Sequence, residues 1–350
     1  MVNEKEAVEL LEKLISTPSV SRDETAASDV MEFFLRAHQL NPHREGNNLW
    51  CVSPDWREGR PTLLLNAHID TVGPASGWQR DPFKPTTEGN RLYGLGASDC
   101  GGGLVSLLSA YSQLIERPQH YNLVYAVSAE EEVSGQNGFS RMRPFLPAID
   151  AAIVGEPTSL QPATGERGLM VLDVTARGRS GHAARNGGIN AIYRAMEDID
   201  WFKNYQFPKI SDRLGPVKMS VTVINAGTQH NMVPDRCVFT VDVRVNEMYT
   251  NLQVLDVIKE NVKSDVTARS TRLGPSFIPD NHPLVVRMKA LGLQPFGSPA
   301  LSDQALMPWP SLKLGPGDSA RSHSADEFIC FEEIRQAIIL YIKILDGMVI

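Results

Sequence analysis

The sequence predicts an α/β protein in which a second, α+β domain is inserted into a larger one. Three observations carry that reading. Up to about residue 167, short apolar runs of strand length alternate with amphipathic helical patterns, the signature of a mostly parallel central sheet flanked by helices. From residue 168 to 275 the strand patterns lengthen and alternate apolar with polar, as in an antiparallel sheet covered by helices on one face. After Pro275 short runs and Pro/Gly punctuation return, and the chain closes on an apolar helical pattern at Glu332–Leu345. The larger domain is therefore read as 1–167 with 276–350, and the inserted sandwich as 168–275. A length of 350 residues also suits two domains better than one.

The elements follow in order. Val8, Leu11, Leu14 and Ile15 share one helical face, which Thr17-Pro18 terminates. Val30, Phe33, Phe34 and Leu40 mark a second helix, with Ser21 or Asp23 near its cap. Asn48–Val52 and Thr62–Asn66 read as strands. Gly101–Leu114 reads as a helix opening on glycines, and Asn122–Ser128 and Ala151–Val154 as further strands. In the inserted domain Leu169–Ala176, Met219–Ile224 and Val238–Val245 alternate, with helical patterns around 191–202 and 252–262.

Composition excludes several classes. With 34 Lys+Arg against 41 Asp+Glu the net charge is −7, which weighs against nucleic-acid binding through bulk charge. Near-average composition excludes collagen-like and wholly disordered chains. The longest apolar stretch, Ala337–Leu345, is interrupted by Lys343 and falls short of the roughly 20 residues of a membrane span. No basic segment followed by an apolar one opens the sequence, and Cys51, Cys100, Cys237 and Cys330 form no C-x-x-C. A cytoplasmic, reducing setting is expected.

Imidazoles and carboxylates cluster at strand ends, where open α/β sheets place their sites. They are Ala67-His68-Ile69-Asp70-Thr71-Val72 after one strand, and Gly94-Leu95-Gly96-Ala97-Ser98-Asp99-Cys100 before the glycine-led helix. Glu130-Glu131-Glu132 and Gly155-Glu156-Pro157 follow two further strands, and Arg321-Ser322-His323 through Asp326-Glu327 lies late in the chain. Singly, each is ordinary: a surface pair, a solvated helix start, a turn. Residues 94–103 match neither nucleotide-loop pattern, and a carboxylate there opposes phosphate. Together, two imidazoles and several carboxylates make an N/O donor set suited to two Zn²⁺ or similar ions rather than to Cu(I) or iron–sulfur clusters.

The order of these motifs resembles the di-zinc aminoacylase/exopeptidase family, which includes acetylornithine deacetylases, succinyl-diaminopimelate desuccinylases and glutamate carboxypeptidases. The resemblance rests on His68-x-Asp70-Thr-Val, Gly-x-Gly-x-x-Asp99, Glu131-Glu132, Gly155-Glu156-Pro157 and His323. It implies that the larger domain is the metal-binding catalytic domain. His68, Asp99 and Glu156 would hold one ion, and Asp99, Glu132 and His323 the other, with Asp99 bridging. Asp70 would orient His68, and Glu131 would be the general base. The resemblance further implies a cis peptide after the bridging aspartate, here Asp99–Cys100. The ions expected are zinc, with cobalt or manganese as alternatives.

In the inserted domain, Ser180-Gly181-His182-Ala183-Ala184 and Gly188-Ile189-Asn190-Ala191-Ile192 resemble the family's lid signature. His182 would then stabilise the oxyanion, reaching it in cis by lid closure or in trans from a second subunit. Arg244 would clamp a substrate carboxylate, with an ordinary ion pair to Asp242 or Glu247 as its alternative. Asn231 would help position Arg244 or substrate, and the domain would mediate a homodimer.

The implied reaction is metal-dependent hydrolysis of the linear amide of a small-molecule N-acyl amino acid. N-acetylornithine, as in arginine biosynthesis, is the first candidate. Acetylated or succinylated citrulline, lysine or diaminopimelate, or a di- or exopeptidase activity, are alternatives, and a non-catalytic binding module is the alternative from another class. The Ser302-Asp303 pair and Asp326 are candidates for an acidic pocket wall. The family's usual Asp-Met-Lys-Gly-Gly reads Asp99-Cys100-Gly101-Gly102-Gly103 here, and Cys100 is expected to be a buried small residue rather than a ligand. Glu130 stands where the family has Asp, which leaves Glu130 as an alternative base.

Overall fold

Every residue of Thr62–His68 and of Asn122–Ser128 is buried, as expected of parallel strands covered on both faces. The two pair in parallel, and Thr62–His68 pairs in parallel on its other side with Ala151–Val154. The computed structural model describes residues 1–350. In it the sheet runs His43–Glu45, Asn48–Val52, Asn122–Ser128, Thr62–His68, Ala151–Val154, Ser311–Lys313, Ala163–Glu166. The outer pair His43–Glu45 and Asn48–Val52 is antiparallel, whereas Ser311–Lys313 joins Ala151–Val154 in parallel. This is the mostly parallel, helix-flanked sheet that the sequence predicts.

Helices Glu4–Ile15, Gly103–Leu114 and Phe331–Leu345 pack against one another. They share a core with the sheet that includes Leu10, Leu11, Leu65, Leu107, Tyr125 and Tyr341. The first helix is fixed at its start by a capping box: the Asn3 side chain accepts from the Glu6 N–H, and Glu6 reaches back to the Asn3 N–H. All of this belongs to one compact unit, residues 1–164, 277–296 and 302–350.

A second unit comprises residues 165–276 and 297–301. Its antiparallel sheet runs Lys218–Ala226, Arg236–Val245, Gly168–Arg177, Asp265–Ala268. Gly168–Arg177 buries alternate residues. Met170, Leu172 and Val174 pack with Phe239, Val241 and Val243 beneath helices Ala191–Asn204 and Asn251–Asn261. Lys218–Ala226 is an edge strand, and its Val223 and Ile224 are about half exposed.

Some local expectations change. Phe33 does not join the apolar face of helix Thr25–Ala37 but is 70 % exposed, with the Lys13 ammonium over its ring. Asp23 lies next to the cap of that helix, as expected, but the N-cap itself is Glu24, with no side-chain cap bond. The glycine-led helix begins at Gly103, because Gly101 and Gly102 belong to the turn before it. Helix Pro283–Ala290 carries a start signal that periodicity alone does not reveal: His282 caps it and Pro283 occupies the first helical position.

Candidate metal centre

Three adjacent parallel strands end side by side, and each delivers its polar residues to the same place. Thr62–His68 ends on His68 itself, aligned with Ser128 of the neighbouring strand, after which come Glu130–Glu132. On the other side Asn66 aligns with Val154, and Gly155-Glu156 follows. Asp99 comes from the turn before helix Gly103–Leu114, and His323 from the segment before strand Phe328–Cys330. The peptide between Asp99 and Cys100 is cis.

The side chains converge. His68 Nε2 lies 3.2 Å from Asp99 Oδ1 and 3.9 Å from both Glu131 Oε2 and Glu156 Oε1. His323 Nε2 lies 2.8 Å from Glu132 Oε2 and 3.6 Å from Asp99 Oδ2. Asp99 therefore stands between the two imidazoles, with one oxygen toward each. Donor atoms of His68, Asp99 and Glu132 all fall within 4.8 Å of one another, as do those of His68, Cys100 and Glu156.

Asp70 anchors this cluster from below. Its carboxylate accepts from the backbone N–H of Glu131 at 3.0 Å and of Glu132 at 3.1 Å, and from the Ser21 hydroxyl at 2.7 Å. The nearest partner of His68 Nδ1 is the Asp70 carbonyl, at 2.9 Å, with the carboxylate at 3.6 Å. That contact sets the ring so that Nε2 faces the cluster. Glu130 points elsewhere: its carboxylate accepts from the backbone N–H and side-chain amide of Asn137. Of Glu130 and Glu131, the two candidates for the base, only Glu131 reaches the cluster.

Electrostatics follow from burial and crowding of like charge. Burial and neighbouring carboxylates push Glu131 well above the usual carboxyl range. The same causes raise Glu132 and Glu156 to about 8. Burial also works against the charge of Asp99, but the hydrogen bond and charge of His68 overcome it and hold that carboxyl below its usual value. Glu156 Oε1 is buried with no hydrogen-bond partner. An orphaned carboxylate oxygen among crowded carboxylates is what divalent cations would satisfy, so the donor set fits the metals inferred from the sequence.

A pH dependence follows. With Glu132 and Glu156 raised from 4.5 to about 8, the folded metal-free chain keeps protons that the unfolded chain has released. Stability from these groups is complete below about pH 4.5 and is lost as pH rises through about 8. Thermal melts of metal-stripped protein are expected to fall across that window, and metal uptake to release protons and tighten with pH. Melts that rise with pH across the window would contradict this assignment.

Cys100 is buried, and its thiol, raised in pKa by burial, contacts the His68 backbone through both N–H and carbonyl. The acidic pocket candidates are committed internally. Asp303 is buried and accepts from Ser128 and Asn66, and Asp326 accepts from the backbone of Gln79 and Arg80. His182, Asn231 and Arg244 all lie in the second unit. His182 is exposed, and its Nδ1 accepts from the Ala184 N–H at 3.1 Å, which places the ring proton on Nε2. Asn231 accepts the Ala183 N–H through its main-chain carbonyl. Arg244 makes a two-pronged pair with Asp242, at 2.8 and 3.1 Å.

Of two buried carboxylates behind the site, Glu24 carries no sign in the sequence, and Glu327 stands in the late cluster without a role. Glu24 accepts from the N–H groups of Arg22 and Glu130 and from the Asn47 amide. Glu327 accepts from three N–H groups of the Asp99 turn. For Glu327 a signal was available, an acidic residue directly ahead of the apolar run Phe328–Cys330.

The sequence profile of peptidase family M20/M25/M40 matches residues 64–347. A succinyl-diaminopimelate desuccinylase of Parvibaculum lavamentivorans is 27 % identical over 96 % of this chain and 93 % of its own. An acetylornithine deacetylase of Proteus mirabilis is 30 % identical over 92 % of this chain and 91 % of its own. Among solved structures, the aminopeptidase PepT of Bacillus cereus superposes with a TM-score of 0.78 at 19 % identity, covering 99 % of this chain and 98 % of its own. A Bacillus subtilis protein described as a dinuclear metal binding peptidase gives 0.73 at 16 % identity, over 98 % and 97 % of the two chains.

Proposed function

The chain belongs to peptidase family M20/M25/M40 and is an amide-cleaving hydrolase, and from that premise we propose that it deacylates a small N-acyl amino acid, N-acetylornithine first among them. The observation that carries the reading is the convergence of His68, His323, Asp99, Glu132 and Glu156 at three strand ends, with Glu131 beside them. His68, Asp99 and Glu156 would hold one divalent ion and Asp99, Glu132 and His323 another, zinc being the first choice and cobalt or manganese alternatives. When bound, such ions supply Lewis acidity toward the amide carbonyl and make water a better acid.

The chain's own residues do the rest. Glu131, its carboxylate turned into the cluster beside His68, takes a proton from the attacking water and passes it to the leaving nitrogen. His182 offers an Nε2–H toward the developing oxyanion, because its Nδ1 is already occupied as an acceptor. Arg244 holds the α-carboxylate, with Asp242 fixing the guanidinium plane. The main chain of Asn231 ties down the His182 segment by accepting the Ala183 N–H, which leaves its side chain to help position Arg244 or substrate. A homodimer through the second unit is part of the reading. The open edge strand Lys218–Ala226, with Val223 and Ile224 about half exposed, supports it.

The test is a kcat/KM comparison on zinc-loaded enzyme across N-acetyl- and N-succinyl-ornithine, -citrulline, -lysine and -diaminopimelate, with several dipeptides. N-acetylornithine is expected to rank first, with hydrolysis abolished by a chelator and restored by metal. Light scattering on the same preparation is expected to give twice the chain mass. Preference for a dipeptide would reassign the substrate, and chelator-insensitive hydrolysis would overturn the metal-dependent reading.

A further inference from the structure

Glu327 is 2 % exposed, yet it touches none of the convergent donor atoms. Its Oε1 accepts from the backbone N–H of Ser98 at 2.7 Å and of Asp99 at 2.9 Å, and its Oε2 from that of Gly96 at 3.0 Å. Its own carbonyl accepts the Gly94 N–H at 3.0 Å. The left-handed conformation of Gly96, at φ 76°, turns the chain so that these N–H groups face one anion. Glu327 stands four residues after His323, and the strand that follows it, Phe328–Cys330, pairs with Arg91–Tyr93 just ahead of the turn. The Asp99 turn and the His323 segment are therefore joined at the strand pair and again through one buried carboxylate.

We infer that Glu327 is a positioning residue for the metal centre, holding Asp99 in register with His323 and so setting the affinity of the Asp99–Glu132–His323 set. The inference rests on the metal-centre reading above. Glu327 is bonded to the Asp99 N–H and shares a chain segment with His323, both members of that set, whereas only one, Asp99, of the set His68–Asp99–Glu156 has such a link to it. A carboxylate suits the turn because both of its oxygens accept there. A glutamine of the same shape turns an NH₂ against backbone N–H groups and leaves at least one of them without an acceptor.

The test is calorimetric titration of metal-stripped protein with Zn²⁺, with melting temperatures measured alongside. Wild type is expected to take two equivalents. Glu327→Gln is expected to bind one equivalent within about threefold of wild type and to lose about 10–100-fold at the other. Glu327→Asp, which keeps the charge on a shorter arm, is the second variant and is expected to lose less at the same equivalent. Folded variants that bind both equivalents as wild type does, or that weaken both alike, overturn the inference while leaving the metal centre standing. Variants that fail to fold altogether make Glu327 a folding residue and also overturn it. A wild type that takes no second equivalent overturns the metal-centre reading, and this inference with it.

Discussion

Glu131→Gln is expected to lower kcat by about 100- to 10,000-fold with two divalent ions still bound per chain. The substitution keeps the shape of a side chain whose Oε2 lies 3.9 Å from His68 Nε2. It also leaves intact the two backbone N–H bonds from Glu131 and Glu132 to Asp70, which shape the turn. What it removes is a group able to take a proton and return it. Loss confined to kcat, with KM nearly unchanged, would mark an interaction made in the transition state alone. Glu130→Gln separates the two neighbouring glutamates, because its carboxylate is bound to Asn137 and faces away from the cluster. Turnover of Glu131→Gln within tenfold of wild type would remove Glu131 as the base. Loss of one metal equivalent in the same variant would make it a ligand instead.

Gly103→Ala is expected to destabilise the protein by about 3 kcal/mol or more. The first residue of helix Gly103–Leu114 passes so close to the turn carrying Glu156 that a Cβ there would sit 1.6 Å from the Gly155 carbonyl oxygen. Helix propensity alone favours alanine over glycine by about 1 kcal/mol, so the sign of the effect measures the approach. Backbone cannot swing aside as a side chain can, and any relief displaces Glu156. Urea denaturation of wild type and variant decides the matter, and a variant as stable as wild type would show that the helix and the turn are not in this contact.

The central sheet and the cluster were legible because their residues obey local rules. His68, Glu131, Glu132 and Glu156 each follow an apolar run of strand length, and parallel strands bring such ends together. The residues whose roles were not legible work through partners remote in sequence. Glu24 reaches Glu130 and Glu327 reaches Asp99, and an isolated glutamate carries no mark that its charge will be buried against backbone amides. The partners of Asp303 were hidden for the same reason: its commitment to Asn66 and Ser128 is set by the sheet, not by its neighbours in the chain. Phe33 failed differently. Helical periodicity placed it beside Phe34, but only Phe34 packs against the core, while Phe33 stands in solvent.

The position of strand Ser311–Lys313, between Ala151–Val154 and Ala163–Glu166, bears on how the protein is born. Ribosomes extend a chain at about 5–20 residues per second, so roughly ten to thirty seconds separate synthesis of Val154 from that of its neighbour strand. Throughout that interval the emerging chain carries a half-built sheet with an open edge and a carboxylate cluster without His323. It also lacks the last helix, Phe331–Leu345, that packs on Gly103–Leu114. A ribosome halted within the second unit thus releases a client for holdases and proteases rather than a smaller working enzyme.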